Sequence, residues 1–121
     1  WLGPAACKIT FTSMGAGPIE VTFGGHRLDA GTRQLFRGGM EVHLSPKAFD
    51  LLQALVENRT RAMSKAELQD RLWPGTFVTE ANLASLVAEV RRALGDPPRS
   101  PKFVRTVHRF GYAFCGEARI H

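Results

Sequence analysis

The sequence lacks the features that indicate a secreted, metal-binding or membrane-spanning protein. Only two cysteines occur among 121 residues, Cys7 and Cys115, and neither belongs to a Cys-x-x-Cys or Cys/His cluster with metal-ligand spacing. No apolar run approaches the roughly 20 residues that a membrane-spanning helix needs. The N-terminal stretch has no basic end followed by a long apolar run, as a secretory signal requires. We therefore expect reduced thiols, no metal, no membrane contact from this segment and a cytoplasmic location.

Sequence signals of catalysis are missing as well. The chain contains no Walker-type loop, no nucleophile elbow and no Gly-x-Gly-x-x-Gly motif, and its paired glycines stand between short apolar runs, as turns do. The histidines are far apart in sequence, without a Glu or Cys at ligand spacing. We predict no catalytic residue, no cofactor and no enzymatic activity.

The positive charge is concentrated near the end of the chain. Residues 1–89 contain 9 Lys+Arg and 9 Asp+Glu, whereas residues 90–121 contain 7 and 2, so the last quarter carries the whole net charge of +5. Such a one-sided concentration favours a polyanionic partner. A basic tail that is merely solvated has the same composition, so charge alone leaves both interpretations open.

The chain is expected to contain one domain between a leader and a tail. Residues 1–18 are interrupted by Gly and Pro without periodicity, which predicts a flexible leader. Met14 offers an alternative natural start, in which case residues 1–13 would not be native. The length supports a single domain over residues 19–116, followed by a tail at 117–121.

Short apolar runs predict an antiparallel sheet of about four strands from residue 19 onward. The pairs Gly24-Gly25 and Gly38-Gly39 separate these runs, as in hairpins. Residues 103–114, "FVRTVHRFGYAF", indicate a further hairpin of two short strands at the C-terminal end. Arginine and histidine are crowded among its apolar residues.

Three helices are predicted between the sheet and the final hairpin. The Ser45-Pro46 pair indicates the start of a helix from about 46 to 58. A Ser-x-x-Glu capping box from Ser64 to Glu67 begins a short second helix that ends near Trp73. The third helix, about 80–94, is predicted to be capped by Thr79 and to end at Gly95, with one apolar face formed by Leu83, Leu86, Val87, Val90 and Leu94.

Four segments carry a specific resemblance: "LSPKAFDLL", "SKAELQDRLW", "EANLASLVAEVRRALGD" and "PKFVRTVHRFGYAF". They resemble the effector domain of the OmpR/PhoB family of bacterial winged-helix regulators, over about residues 19–116. The resemblance implies an α+β fold, a winged helix-turn-helix with an N-terminal four-stranded antiparallel sheet, three helices and a C-terminal wing hairpin.

The resemblance also implies a function. It implies sequence-specific binding of double-stranded DNA by the output domain of a bacterial transcriptional regulator in signal transduction. The recognition helix, about 80–94, would enter the major groove, and the wing, 103–115, would meet the adjacent minor groove.

Candidate DNA contacts on the wing follow from the resemblance. Arg105, Thr106, His108 and Arg109 match positions where the family's wing meets the DNA backbone. Thr106 and His108 lie two residues apart, so a strand would place them on one face. Tyr112 matches a tyrosine near the same phosphates, and a core aromatic is an equally good interpretation.

The outward face of the predicted recognition helix is nearly neutral, whereas family members usually carry several basic residues there. Asn82 could read adenine, and Ser85 could contact a base or a phosphate. Glu89 could accept a hydrogen bond from cytosine or pair with Arg92. Arg91 could point to a phosphate or to the protein, and Arg92 is the better DNA candidate. We expect shallow base readout, with the wing and the helix ends supplying much of the affinity.

The loop at residues 73–80, "WPGTFVTE", is a candidate partner contact. In the family the matching loop can touch RNA polymerase or a neighbouring protomer, so Trp73, Phe77 and Val78 are candidates; alternatively Trp73 and Phe77 fill the space between helices. The input signal would come from a sensory module outside this chain. The alternative function is a winged helix that serves as a protein-interaction or regulatory module with weak or no DNA binding, through Ala81, Ser85, Ala88 and Glu89.

Overall fold

A computed structural model of the chain describes residues 20–97, 99, 101–115 and 119–120. The leader predicted at residues 1–18 lies outside the described residues. The elements, in chain order, are β1 (Glu20–Phe23), β2 (His26–Asp29), β3 (Gln34–Arg37), β4 (Met40–Val42), α1 (Pro46–Glu57), β5 (Met63–Ser64), α2 (Lys65–Leu72), α3 (Glu80–Leu94), β6 (Val104–Val107), β7 (Gly111–Phe114) and β8 (Arg119–Ile120). They form two compact units, one with β1 to β4 and β8 and the other spanning Leu44–Cys115.

The first unit is an antiparallel sheet with the strand order β4-β3-β2-β1-β8. Its four consecutive strands confirm the predicted N-terminal sheet. The fifth strand, β8, pairs with β1 and lies in the segment that the sequence analysis assigned to a tail. Alternate side chains are buried, including those of Val21, Phe23, Leu28 and Leu35, as expected for strands with one covered face.

Paired glycines form two turns of this sheet. Gly24 and Gly25 have φ values of 47° and 80°, and Gly38 and Gly39 have φ values of 59° and 84°. Two successive positive φ values are typical of the two-residue turns that match the twist of a hairpin, and glycine adopts them without steric cost. The glycine pairs therefore explain where β1 and β3 reverse direction.

Helix α1 begins where the sequence predicts. The Ser45 hydroxyl accepts a hydrogen bond from the Ala48 N–H at 3.3 Å, and Pro46 occupies the first helical position. Most of the apolar side chains of α1 are fully buried, which makes it the central helix of the second unit: Ala48, Phe49, Leu51, Leu52, Ala54, Leu55 and Val56.

Helix α2 starts with the predicted capping box. The Ser64 hydroxyl accepts from the Glu67 N–H at 3.1 Å, and the Glu67 carboxylate accepts from the Ser64 N–H at 3.0 Å. Leu68 and Leu72 are buried, and the helix ends before Trp73. Two orphan N–H groups of the first turn are thereby satisfied.

Helix α3 has its predicted bounds, but its start is not capped as predicted. Thr79 occupies the N-cap position, but its side chain makes no capping hydrogen bond. Gly95 ends the helix with a φ of 67°, the left-handed conformation typical of a terminal glycine. The apolar face is buried as predicted, with Leu86 only half-buried.

The second unit ends in the predicted hairpin. Strands β6 and β7 pair antiparallel, and β5 adds a third strand in the order β5-β7-β6. Gly111 is required where β7 approaches β5, because a Cβ at this position would lie 1.9 Å from the Met63 carbonyl oxygen. The described part of the chain is therefore an α+β winged helix-turn-helix fold.

Candidate nucleic-acid interface

One side of α3 is exposed and carries few charged groups. Its opposite face is buried in the second unit through Leu83, Val87, Val90 and Leu94. The exposed residues, other than the acidic Glu80 at the helix start, are Ala81, Asn82, Ala84, Ser85, Ala88 and Arg92. This set offers one amide, one hydroxyl, several methyl groups and one guanidinium, as the sequence predicts.

Glu89 is half-buried and accepts hydrogen bonds from another residue of the domain. Its carboxylate oxygens accept hydrogen bonds from the Ser45 N–H at 2.7 Å and from the Ser45 hydroxyl at 3.0 Å. The two interpretations of this side chain from the sequence are a cytosine contact and an ion pair with Arg92. In the structure Glu89 instead holds the first turn of α1, where an orphan N–H group needs an acceptor.

Arg91 points to the protein, which settles the two directions left open by the sequence. Its Nε and Nη2 atoms donate to the Val104 carbonyl at 3.1 and 3.0 Å. Nη2 also donates to the Thr106 hydroxyl at 3.0 Å. The end of α3 is thus joined to β6 through a half-buried guanidinium.

Asp96 is a buried structural residue that was not among the residues predicted from the sequence. Only 4% of the residue is exposed, and its carboxylate accepts hydrogen bonds from the N–H groups of Lys102, Phe103 and Val104. A buried carboxylate is stable when several donors satisfy it. The signal for its role was available in "LGDPPRSPK", where an acidic residue directly follows a helix-ending glycine.

The wing presents its polar side chains to solvent. The exposed residues from β6 through the turn are Arg105, Thr106, His108, Arg109 and Phe110. His108 lies in the turn, since β6 ends at Val107, so strand alternation does not place it beside Thr106. The turn is closed by a hydrogen bond from the Phe110 N–H to the Val107 carbonyl at 2.9 Å.

The turn of the wing is also hydrogen-bonded to the first residue of α2. The Phe110 carbonyl accepts from the Lys65 N–H at 2.9 Å. The Lys65 ammonium in turn lies 3.2 Å from the Glu80 carboxylate at the start of α3. This exposed ion pair adds little stability by itself, but it marks where the wing turn, α2 and α3 come together.

Tyr112 is a core residue in this structure. It is 9% exposed and lies in the middle strand of its sheet, opposite Met63 in β5 and Thr106 in β6. Of the two interpretations of Tyr112 from the sequence, its burial favours packing over phosphate contact.

The loop between α2 and α3 separates its two aromatic residues. Trp73 is half-buried, and the Lys47 ammonium lies 5.8 Å from its ring centroid. Phe77 is 100% exposed, so the interpretation that it fills the space between the helices is wrong. Val78 is half-buried.

Two other kinds of site are absent from the described ranges. No three His, Cys, Asp or Glu side chains there come together as a metal-ligand cluster. No helix in this part of the chain combines the length and the apolar character needed to cross a bilayer.

Three helices followed by a wing with an exposed basic tip define a winged helix-turn-helix domain of the OmpR/PhoB type. A family model described as "Transcriptional regulatory protein, C terminal" matches residues 39–114. The chain belongs to this family, which consists of transcriptional regulators and not of enzymes.

Named relatives agree with this family. The transcriptional regulatory protein KdpE of Mycobacterium tuberculosis is 33% identical over 88 residues, which cover 72% of this chain and 39% of KdpE. The DNA-binding domain of Klebsiella pneumoniae RstA, solved in complex with the RstA box, has a TM-score of 0.72 and 28% identity over 79% of this chain and 96% of that one. DrrB, an OmpR/PhoB homologue of Thermotoga maritima, has a TM-score of 0.75 and 28% identity over 80% of this chain and 44% of its own. The chain therefore spans less than half of KdpE and of DrrB.

Proposed function

We propose that the chain binds double-stranded DNA sequence-specifically and acts as the output domain of a bacterial transcriptional regulator in the cytoplasm. The observation that carries this proposal is the wing, where Arg105, His108 and Arg109 are exposed on a hairpin joined to the end of α3. The RstA domain, which has the same fold, was solved with a DNA box. Residues 19–116 would form the DNA-binding domain, and a sensory module outside this chain would supply the signal.

In the proposed binding mode, α3 and the wing contact different parts of the DNA. Helix α3 would enter the major groove, where Asn82 and Ser85 read base edges and the exposed alanines contact thymine methyl groups. Arg92, Arg105 and Arg109, with His108, would neutralise phosphates, and the wing would meet the adjacent minor groove. Because α3 offers few base-reading groups, most of the affinity would come from the backbone contacts.

The loop between α2 and α3 is proposed to contact a protein partner on DNA, either RNA polymerase or a second protomer. Phe77 supports this proposal, because a fully exposed phenylalanine leaves its apolar surface in water. Trp73 and Val78, which are half-buried in the same loop, would complete the contact. Phe77→Ser would weaken this contact and leave binding of the single chain to DNA unchanged.

The proposal is tested by fluorescence anisotropy of the chain with a randomised duplex pool, at low and near-physiological salt, followed by sequencing of the retained duplexes. We expect salt-sensitive binding that enriches a motif. Binding without enrichment would contradict sequence specificity. Absence of binding at low salt would contradict DNA binding and favour the protein-interaction module.

The base readers are tested in the same selection. Asn82→Ala and Ser85→Ala should each change the enriched motif at a single position. A lost bidentate contact should reduce the discrimination against the wrong base by roughly 1 to 3 kcal/mol. An unchanged motif in both variants would show that α3 reads no bases through these residues.

A further inference from the structure

Both backbone polar groups of Val104 are held by side chains from the end of α3. Its N–H donates to the Asp96 carboxylate at 2.9 Å, and its carbonyl accepts from Arg91 at 3.1 and 3.0 Å. Strand β6 is the outer strand of its sheet, so no strand of the described part of the chain pairs with one of its edges. Arg91 and Asp96 take the place of a neighbouring strand at this edge.

Arg91 extends this connection further along the wing. The nitrogen Nη2 that binds the Val104 carbonyl also binds the Thr106 hydroxyl at 3.0 Å. Arg91 is half-buried, whereas Arg92 beside it is exposed. One planar guanidinium that holds two acceptors two residues apart fixes the direction of β6 relative to α3, because its donors have a rigid fork geometry.

We propose that Arg91 is a positioning residue for DNA recognition. By joining β6 to the end of α3, Arg91 sets where Arg105 and Arg109 of the wing meet phosphates when α3 lies in the groove. Two adjacent arginines then have different tasks, since Arg92 contacts DNA directly and Arg91 acts through the wing. This inference rests on the proposed DNA-binding function.

The orientation of the wing is tested first, without DNA. Residual dipolar couplings of backbone N–H groups report the direction of β6 and β7 relative to α3. Arg91→Lys keeps the charge and most of the side-chain length, but a lysine ammonium is not a planar fork that can hold both acceptors. In Arg91→Lys, we expect that the couplings of β6 and β7 no longer fit the orientation that these strands have relative to α3 in the structure. In the matched control Arg92→Lys, the couplings should still fit that orientation.

The consequence for DNA is tested by a double-mutant cycle, measured by anisotropy with the randomised duplex pool. We expect Arg91→Lys to weaken binding by about fivefold or more in the otherwise unsubstituted chain. In the background of Arg105→Ala with Arg109→Ala, the same change should cost less than about twofold, because the contacts that Arg91 positions are already absent. Arg37→Lys, at an exposed position of β3 outside the proposed interface, is the control and should cost less than about twofold in both backgrounds.

The inference is overturned by unchanged wing couplings in Arg91→Lys, by wild-type affinity of that variant, or by an equal loss of affinity in both backgrounds. An equal loss would make Arg91 an independent DNA contact. If Arg91→Lys does not fold, Thr106→Val removes one acceptor and is measured in the same double-mutant cycle. It should lose less affinity than expected for Arg91→Lys, and it should lose it only when Arg105 and Arg109 are present. Failure of the unsubstituted chain to bind any duplex would overturn the proposed function itself, and it is distinguishable because it involves no substitution.

Discussion

Arg109, at the tip of the wing, has a backbone conformation that favours glycine. Its φ is 60°, in the left-handed region, where a side chain costs about 1 kcal/mol or more. Glycine would adopt this conformation more easily, yet the position holds an exposed arginine. The side chain of Arg109 is therefore held at a cost in stability, and phosphate contact is the task proposed for it here.

Arg109→Gly should therefore make the protein more stable and a weaker DNA binder. We expect the free energy of unfolding, measured by denaturant titration, to rise by about 1 kcal/mol as the strain is relieved. The log-log salt slope of duplex binding should flatten by about 0.9, the share of one phosphate contact.

Arg33 provides a matched control for this prediction. It is also exposed and has a φ of 56°, in the turn between β2 and β3. Arg33→Gly removes the same charge at the same backbone conformation and should leave DNA affinity and salt slope unchanged. An equal loss of affinity in the two variants would show that Arg109 contributes only through net charge.

Gly111→Ala tests the close approach of β7 to β5. The added methyl group would lie 1.9 Å from the Met63 carbonyl oxygen, so one of the two strands must move. We expect the free energy of unfolding to fall by about 3 kcal/mol, as in an overpacked site. A thermal melt that matches the unsubstituted chain would contradict the pairing of β5 with β7.

At the scale of the elements, the cap of α2 predicts a pH dependence of stability. Hydrogen bonds from the Arg61 guanidinium and the Ser64 backbone N–H lower the pKa of the Glu67 carboxyl from 4.5 to about 2. Because this pKa is depressed in the folded state, the ionised carboxylate stabilises the fold above about pH 4.5, and this contribution is lost as the pH falls towards 2.

Glu67→Gln should reduce the loss of thermal stability between about pH 4.5 and pH 2, since no proton is then taken up at this position on unfolding. The comparison is a series of melting temperatures across that range. Glu41→Gln, on the exposed strand β4, removes the same charge and is the control. An acid dependence in Glu67→Gln as steep as in the unsubstituted chain would refute the role of the cap.

Glu89 connects α3 to α1 and is not proposed to read bases. Glu89→Ala should lower the free energy of unfolding by about 1 to 2 kcal/mol, because the N–H and the hydroxyl of Ser45 lose a charged acceptor. The motif enriched from the randomised duplex pool should stay the same. A change of one base position in that motif would instead return Glu89 to the DNA interface.

The elements were predictable where local signals specify them. Ser45-Pro46, the Ser64–Glu67 box and Gly95 fix helix ends through hydrogen bonds and φ preferences within a few residues. The direction of Arg91 was not predictable, because its acceptors lie 13 and 15 residues further along the chain. Periodicity reports the face on which a residue lies and not its tertiary partner.

The candidate site was predictable in part, for the same reason. The neutral exposed face of α3 follows directly from the apolar periodicity of the helix. The partners of Glu89, the core position of Tyr112 and the full exposure of Phe77 depend on how separate segments pack. No local pattern distinguishes a phenylalanine that fills a gap from one that is left in water.

At the scale of the whole molecule, the distribution of charge matches the proposed binding mode. All of the net charge of +5 comes from residues 90–121, which include the end of α3 and the wing. This segment includes Arg92, Arg105 and Arg109, so the net charge is concentrated in the part of the chain that is proposed to contact phosphates. The rest of the chain is neutral and would contribute little to the salt dependence of binding.

The most direct test of this binding mode is the salt dependence of duplex binding, compared between the unsubstituted chain and Arg105→Ala with Arg109→Ala. We predict weaker binding of the variant to every duplex and a log-log slope that is flatter by about 1.8, the share of two phosphate contacts. Arg33→Ala with Arg37→Ala removes the same charge from the first unit and should keep the slope unchanged. If the wing variant binds as tightly and with the same slope as the unsubstituted chain, the wing does not contact DNA and the proposed binding mode is wrong.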